Sequence, residues 1–284
     1  MDFLLNEKSL HGQFESTEEF LKSLTGNLSC FRLVREKLEG EIWKLTDFYK
    51  CRITESITIA RLKEYPASDE LRRFRIALEK VTETTPFWDE DPVHDYGESF
   101  WCSSQDVSAT SIAEAAVRGN GLLSFLSEEY IDRRLDVTAG KNEYQVYSIY
   151  TPRYLVESYK ENMSLSRDEY LKIRYKGSRL DCTLLEEEYG AAFLEKDEFS
   201  GLVKTLDKFV RHESWESIAM DDGLEYKKYS PARDKDDWFA NSHYRTQQIM
   251  KFRFSDKMRC FGYRKNDYFR LLRIERDHKK SDKG

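Results

Sequence analysis

The chain has 284 residues, of which 39% are hydrophobic, 14% aromatic and 35% charged, and its formal net charge is −6. Because 17 Phe, 17 Tyr and five Trp bury a large apolar surface, the composition excludes a disordered chain. The low counts of Gly and Pro, 13 and five, exclude a collagen-like sequence. The length predicts about two domains, with a core that needs no disulfide bonds.

The first part of the chain carries signals for helices and one strand. Ser16 opens a capping box, Ser-Thr-Glu-Glu, which predicts the start of a helix, and a second helix is expected near residues 27–38. Aromatic and β-branched residues predict a strand over 42–53. Leu, Phe and Val at helical spacing predict a helix over 69–81.

The next part predicts alternating helices and strands. A capping box at Ser111 predicts a short Ala-rich helix, and a buried strand is expected over 122–126. A further strand is predicted over 145–150. Pro152 then fits the first turn of another helix.

A polar, turn-rich stretch after residue 160 predicts a domain boundary. The predicted domains are an N-terminal α/β domain of unknown role, 1–160, and a C-terminal α+β domain, 161–284. In the second domain an apolar stripe predicts an amphipathic helix over 199–210, and charged residues predict a loop over 221–237. The predicted fold class is α+β, with an N-terminal α/β region and a C-terminal antiparallel sheet flanked by helices.

The five cysteines lie far apart, and none shows a CxxC or Cys/His spacing typical of zinc sites. Their odd number also argues against the disulfide framework of a secreted domain. The first residues lack the basic and long apolar regions of a signal peptide, and no run of 18 apolar residues predicts a membrane span. We therefore expect a cytoplasmic protein without membrane contact, metal or cofactor.

Charge is distributed unevenly along the chain. Residues 243–284 contain 13 Lys and Arg against five Asp and Glu, a net charge of +8. The other 242 residues contain 33 against 47, a net charge of −14. Such asymmetry is typical of proteins that contact nucleic acid or an acidic partner. The alternative is a solvated basic sheet face, or a basic segment that docks on the acidic remainder of the same chain.

The basic segment has the pattern of an antiparallel sheet. Three strand-like runs cover 250–254, 259–265 and 268–275, and turn-forming residues separate them. The sequence therefore predicts three consecutive antiparallel strands over residues 250–275.

The second of these turns predicts a hairpin register. A two-residue turn that begins at Asn266 pairs Tyr263 with Arg270 and Phe261 with Leu272. Both faces of the predicted hairpin then mix arginine with aromatic side chains. That mixture suits phosphate neutralisation together with base stacking.

Nucleic-acid contact is therefore predicted for a defined set of residues. Arginine binds phosphate in a bidentate manner, and seven of the 13 cations in 243–284 are arginine. The same side chains would suit an ordinary sheet in which arginine stems pack on tyrosine rings. The residues predicted to bind nucleic acid are Arg245, Lys251, Tyr263, Arg264, Lys265, Phe269, Arg270 and Arg273.

The order of residues in this segment resembles the C-terminal sheet of RelE/ParE-type bacterial toxins. The residues that carry the resemblance are Lys251-Phe252-Arg253, Arg259 at the start of the next strand, and His278 with the two lysines after it. RelE members cleave messenger RNA in the ribosome without a metal, and ParE members act on gyrase. By this resemblance Arg259 would stabilise the phosphate in the transition state, Arg253 would position it, and His278 would act as acid or base.

The N-terminal part resembles uncharacterised bacterial proteins that are encoded near anti-phage ATPase or nuclease genes. The segments that carry this second resemblance are 6–14, 86–88 and 114–116. It implies a defence role and assigns no chemistry to any residue.

Two main functional hypotheses follow from these patterns. The first is a bacterial defence or toxin-type protein that binds RNA or DNA, of which RNA is the favoured candidate, through its basic C-terminal sheet; its sharper form is a metal-independent ribonuclease. The second is a non-enzymatic subunit of an anti-phage complex that docks on an ATPase or nuclease. A third hypothesis places a Mg²⁺- or Mn²⁺-dependent nuclease at the acidic loop 89–95, although adjacent loop carboxylates are usually only solvated.

Overall fold

The computed structural model describes residues 1–231, 235 and 237–277. The chain forms two compact units, the first spanning Met1–Ser164 and the second beginning at Leu165. The boundary expected from composition was after residue 160. Each unit contains one sheet with its own helices, and the predicted α+β class is confirmed.

The first unit is built on a sheet of seven strands. These strands are β1 (Phe3–Leu5), β2 (Ile42–Trp43), β3 (Phe100–Cys102), β4 (Gln105–Asp106), β5 (Gly121–Leu123), β6 (Arg133–Ala139) and β7 (Asn142–Ile149). Their order is β2-β1-β5-β7-β6-β3-β4, in which the first four run parallel and the remaining pairs are antiparallel. Strands β1 and β5 are fully buried, as parallel strands covered on both faces are.

Four α-helices belong to this unit. They are α1 (Thr17–Lys37), α2 (Asp69–Thr82), α3 (Ser111–Arg118) and α4 (Pro152–Tyr159). Ser16 caps α1 as predicted, since its side chain accepts a hydrogen bond from the backbone N–H of Glu19. Helix α1 continues without a break through the region where a separate helix was expected, and within it the buried amide of Asn27 donates to the carbonyl oxygen of Ser124, 2.7 Å away. Among the described residues, no helix combines the length and apolar content needed to cross a membrane.

The strand predicted over 42–53 is wrong beyond its first residues. Strand β2 stops after two residues, and a 3-10 helix covers Thr46–Lys50. Asp89 accepts hydrogen bonds from the backbone N–H and the hydroxyl of Thr46, at 2.8 and 3.0 Å. Phe48 is completely buried. These tertiary contacts override the strand propensity of the segment.

Buried polar side chains join the carboxyl ends of the parallel strands. Asn6, which follows β1, donates to the hydroxyl of Ser124 at 2.9 Å, and that hydroxyl lies 2.7 Å from the hydroxyl of Ser148 on β7. Gln13 donates to the carbonyl oxygen of Leu126 at 2.8 Å. Buried polar groups are costly unless they are hydrogen-bonded, so this network fixes the loop that follows β1.

The second unit is built on a sheet of five strands. Its elements are α5 (Arg167–Arg174), β8 (Leu180–Asp181), α6 (Lys196–Arg211), α7 (Trp215–Ala219), β9 (Lys227–Lys228), β10 (Ile249–Arg253), β11 (Arg259–Lys265) and β12 (Tyr268–Glu275). The strand order is β8-β12-β11-β10-β9. The three predicted strands form its centre. The edge strands were not predicted: β8 runs parallel to β12, and β9 lies in the predicted loop 221–237 and pairs antiparallel with β10.

Both faces of this sheet are buried. One face packs on the amphipathic helix α6, whose Leu202, Leu206 and Phe209 are completely buried. The other face packs on the segment after β9, through Tyr229 and Phe239. The sheet is therefore the middle layer of this unit.

The predicted hairpin register holds only near the turn. Tyr263 pairs with Arg270 as expected, but Phe261 pairs with Arg273, one residue further along than predicted. The register shifts between Phe261 and Gly262, which is the signature of a β-bulge. A Cβ atom on Gly262 would lie 2.1 Å from the carbonyl oxygen of Arg270, so this close approach requires glycine.

Replacing Gly262 with Ala should lower the free energy of unfolding by about 2 kcal/mol or more, because the added methyl group overpacks the hairpin. Gly201 in α6 provides the control, since a Cβ atom there meets nothing within 4 Å. Gly201→Ala should raise the free energy of unfolding by about 0.5–1 kcal/mol. Chemical denaturation measures both, and two variants of equal stability would contradict the bulge geometry.

Candidate nucleic-acid interface

Half of the residues predicted to bind nucleic acid are buried in the sheet. Phe269 is completely buried, and its ring centroid lies 5.4 Å from that of Phe252. Tyr263 packs on the opposite face, with its ring centroid 6.0 Å from that of Tyr244. Lys251 is only 2% exposed. These positions stabilise the sheet, and a large ligand does not reach them.

Arg259 is directed into the turn that precedes its strand. Its Nη1 donates to three backbone carbonyl oxygens at 3.0–3.1 Å, those of Ser255, Asp256 and Met258. Burial lowers the pKa of Arg259, and the carboxylate of Glu225, 3.9 Å from Nη2, partly offsets this effect. With a side chain only 9% exposed, Arg259 is placed to hold the turn rather than to contact a phosphate.

The structure brings the two arginines of the proposed catalytic set together. Arg253 pairs with Arg259 across β10 and β11, and both approach the same carboxylate. Arg253 lies 2.8 Å from Glu225 and donates to the carbonyl oxygen of Asp222 at 3.4 Å. The third member, His278, lies outside the described residues.

Arg273 occupies an aromatic cage on the sheet face that carries Phe261. The centre of its guanidinium lies 4.5–5.1 Å from the ring centroids of Phe239, Tyr189 and Trp238. The carboxylate of Glu186 accepts from its Nε at 3.1 Å and lies 3.0 Å from Nη2. Cation–π contacts and an ion pair therefore satisfy this charge within the protein.

The exposed cations of the hairpin lie at its tip. Arg264 and Lys265 are exposed, and the guanidinium of Arg264 lies 4.3 Å from the ring centroid of Trp215. Trp215 donates to the carboxylate of Asp267 at 2.7 Å, which fixes the turn. The ring of Tyr268 is 48% exposed. We call Arg264, Lys265 and Tyr268 the tip surface.

A cleft of about 320 Å³ lies beside the tip surface and shares Tyr268 with it. The cleft is also lined by Lys172 near the end of α5 and by Lys176 in the turn that follows. In the part of the chain that the structure describes, neither lysine has a carboxylate within 4.0 Å. Arg270 completes the lining; its Nε is 3.8 Å from Asp181, and a hydrogen bond to Tyr263 raises its pKa.

The remaining predicted residue, Arg245, lies elsewhere. It is exposed and lines a different cleft, together with Tyr244 and Lys228. Of the eight predicted residues, the structure therefore places Arg264, Lys265 and Arg270 at the tip surface or in the cleft beside it.

The acidic loop 89–95 takes part in a buried hydrogen-bond network. Nδ1 of His94 lies 2.5 Å from the carboxylate of Glu114, and both side chains are completely buried. Burial opposes ionisation of Glu114, but hydrogen bonds from His94, Val93 and Arg118 outweigh it and lower its pKa. Among the described residues, no group of His, Cys, Asp and Glu has an arrangement that fits a metal ion. The geometry thus supports a structural role for this loop.

Lys172 and Lys176, which join the cleft from an earlier part of the chain, were not predicted as binding residues. The available signal was a pair of lysines four residues apart, placed just before Gly177, a typical helix end. No family model, no curated protein and no solved structure matches the chain.

The corner between α6 and α7 supports Trp215 and contains an ion-pair cluster. Nε2 of His212 lies 2.8 Å from the carboxylate of Asp221, and Lys208 donates to the same carboxylate at 2.6 Å. Burial raises the pKa of Asp221, but the bonds from Lys208, His212 and the N–H of Gly223 outweigh it and lower that pKa to about 2.

Asp221→Asn should therefore show a stability loss that depends on pH. Because the folded-state pKa lies below the ordinary 3.8, the carboxylate stabilises the fold above pH 3.8, and this contribution is lost as the pH falls toward 2. We expect the variant to be less stable by about 1 kcal/mol at neutral pH, after allowance for solvent screening. Urea denaturation at several pH values measures the difference, which should shrink in acid; a constant difference would contradict the ion-pair assignment.

Proposed function

We propose that the protein binds nucleic acid, with RNA as the favoured candidate, through the tip surface and the cleft beside it. One observation supports this proposal: solvent-facing cations and an exposed aromatic ring lie together at one end of the C-terminal sheet. Cations there neutralise phosphates, and a tyrosine ring stacks on any base. The residues concerned are Lys172, Lys176, Arg264, Lys265 and Tyr268.

The biological setting that we propose is a defence or toxin-type protein of the bacterial cytoplasm. All five cysteines are free, in keeping with a reducing compartment. RNA is the favoured candidate because the basic segment resembles the C-terminal sheet of RNA-cleaving toxins.

Binding is better supported than cleavage at the residues first selected. A phosphate contact would require Arg259 to leave the three carbonyl oxygens that it now holds. Arg253 is likewise engaged with Glu225. We therefore expect RNA to remain intact when it is incubated with the protein and EDTA.

The proposal predicts a charge-dependent loss of affinity in a double variant, Arg264→Gln with Lys265→Gln. Fluorescence anisotropy with a short single-stranded RNA over a salt series measures the dependence of binding on salt. Each phosphate contact on a single strand contributes about −0.7 to the slope of log K against log salt. The double variant removes two such contacts, so its slope should be about 1.4 less negative than that of the wild type. The control is Lys63→Gln with Lys80→Gln, an equal charge change at exposed positions of the first unit, which should keep the wild-type slope.

One result would overturn the proposed binding, and another would overturn the expectation that RNA remains intact. Absence of binding by the wild-type protein at low salt would favour the second hypothesis, in which the basic surface docks on an acidic protein. RNA cleavage that persists in EDTA and disappears in Arg259→Ala would favour the ribonuclease hypothesis. Thermal unfolding of each variant confirms that it is folded, since Arg264 also stacks on Trp215.

A further inference from the structure

The cleft beside the tip surface is large enough for a small ligand. Its volume of about 320 Å³ lies at the lower end of ligand-site volumes, which run from roughly 300 to 1,000 Å³. It is bounded on one side by the end of α5 and on the other by the short β8–β12 pair.

The two sides of the cleft differ in chemistry. The α5 side presents the amines of Lys172 and Lys176, for which the described residues provide no carboxylate partner within 4.0 Å. The strand side presents the ring of Tyr268 and the guanidinium of Arg270. Nε of Arg270 is buried and has no hydrogen-bond partner among the described residues. The lining carries three cations, Lys172, Lys176 and Arg270, against one carboxylate, Asp181, so the cleft as a whole is cationic.

An exposed tyrosine beside two lysines matches the parts of a nucleotide. The ring offers a flat apolar surface for a base, and the amines offer charge for a phosphate. Single-stranded nucleic acids bind in this way, with bases stacked on aromatic side chains and the backbone held by cations.

We propose that the cleft holds one unpaired nucleotide of the bound strand, with its base on the ring of Tyr268 and its phosphate beside Lys172 and Lys176. This inference rests on the proposed function, because it names the part of the strand that enters the cleft. A base inside a duplex has both faces covered by its neighbours and does not reach the ring. The protein therefore selects single strands over duplexes.

The test compares a single-stranded RNA with its duplex by fluorescence anisotropy, using the full chain. Tyr268→Ala should weaken single-strand binding about tenfold, since it removes one stacked base. The same variant should leave duplex binding and the salt slope unchanged, and Tyr268→Phe should retain wild-type affinity. For the double variant of Lys172→Ala and Lys176→Ala, the slope of log K against log salt for the single strand should be about 1.4 less negative than for the wild type.

The matched control is Tyr49→Ala, which removes a tyrosine of similar exposure, 44%, from the first unit. It should bind both RNA forms as the wild type does. If Tyr268→Ala binds single strands with wild-type affinity, or loses single-strand and duplex binding equally, the nucleotide site is overturned while the proposed function stands. If the wild type binds neither form, both fail. Because Tyr268 is at the surface, thermal unfolding should show each variant folded, and the lysine variant tests the site independently.

Discussion

Burial of both faces of the C-terminal sheet is the constraint on which the second unit depends. A guanidinium that leaves water without a partner costs several kcal/mol, so each arginine inside such a sheet needs acceptors within the protein. Arg259 finds three carbonyl oxygens in its own turn, and Arg273 finds Glu186 within an aromatic cage. Three cations of the segment, Lys251, Arg259 and Arg273, are therefore buried inside the fold. In the described hairpin of β11 and β12, the exposed cations Arg264 and Lys265 lie at the tip, where the sheet ends.

The central strands of this sheet could be predicted because their signals are local. Alternating side chains and turn residues define β10, β11 and β12, and an apolar stripe defines α6. The register beyond Gly262 could not be predicted, because the bulge depends on how Arg270 and its neighbours approach the glycine. Strands β8 and β9 are two residues long and form only through pairing with distant strands. The strand prediction for 42–53 was wrong for the same reason, since contacts with Asp89 and the core determine the conformation of that segment.

The candidate site shows the same division between local and distant information. Arg264 and Lys265 could be selected from the sequence, because a hairpin turn exposes the residues beside it. Lys172 and Lys176 come from helix α5 and the turn after it, far earlier in the chain, and the β8–β12 pairing brings them to Tyr268. Interleaved arginine and aromatic residues did not distinguish a binding surface from a core, since arginine stems pack on aromatic rings in both. Only the burial of each side chain distinguishes a binding surface from a core.

Hydrogen–deuterium exchange of the full chain, with and without a saturating single-stranded RNA, tests the central claim most directly. It reports where bound RNA slows the exchange of backbone amides, without a substitution that disturbs the fold. We expect RNA to protect two segments, 172–183 and 264–270, and to leave the rest of the second unit unchanged. Protection confined to the first unit, or to the strand 249–253 without the tip, would contradict a binding surface at the end of the sheet.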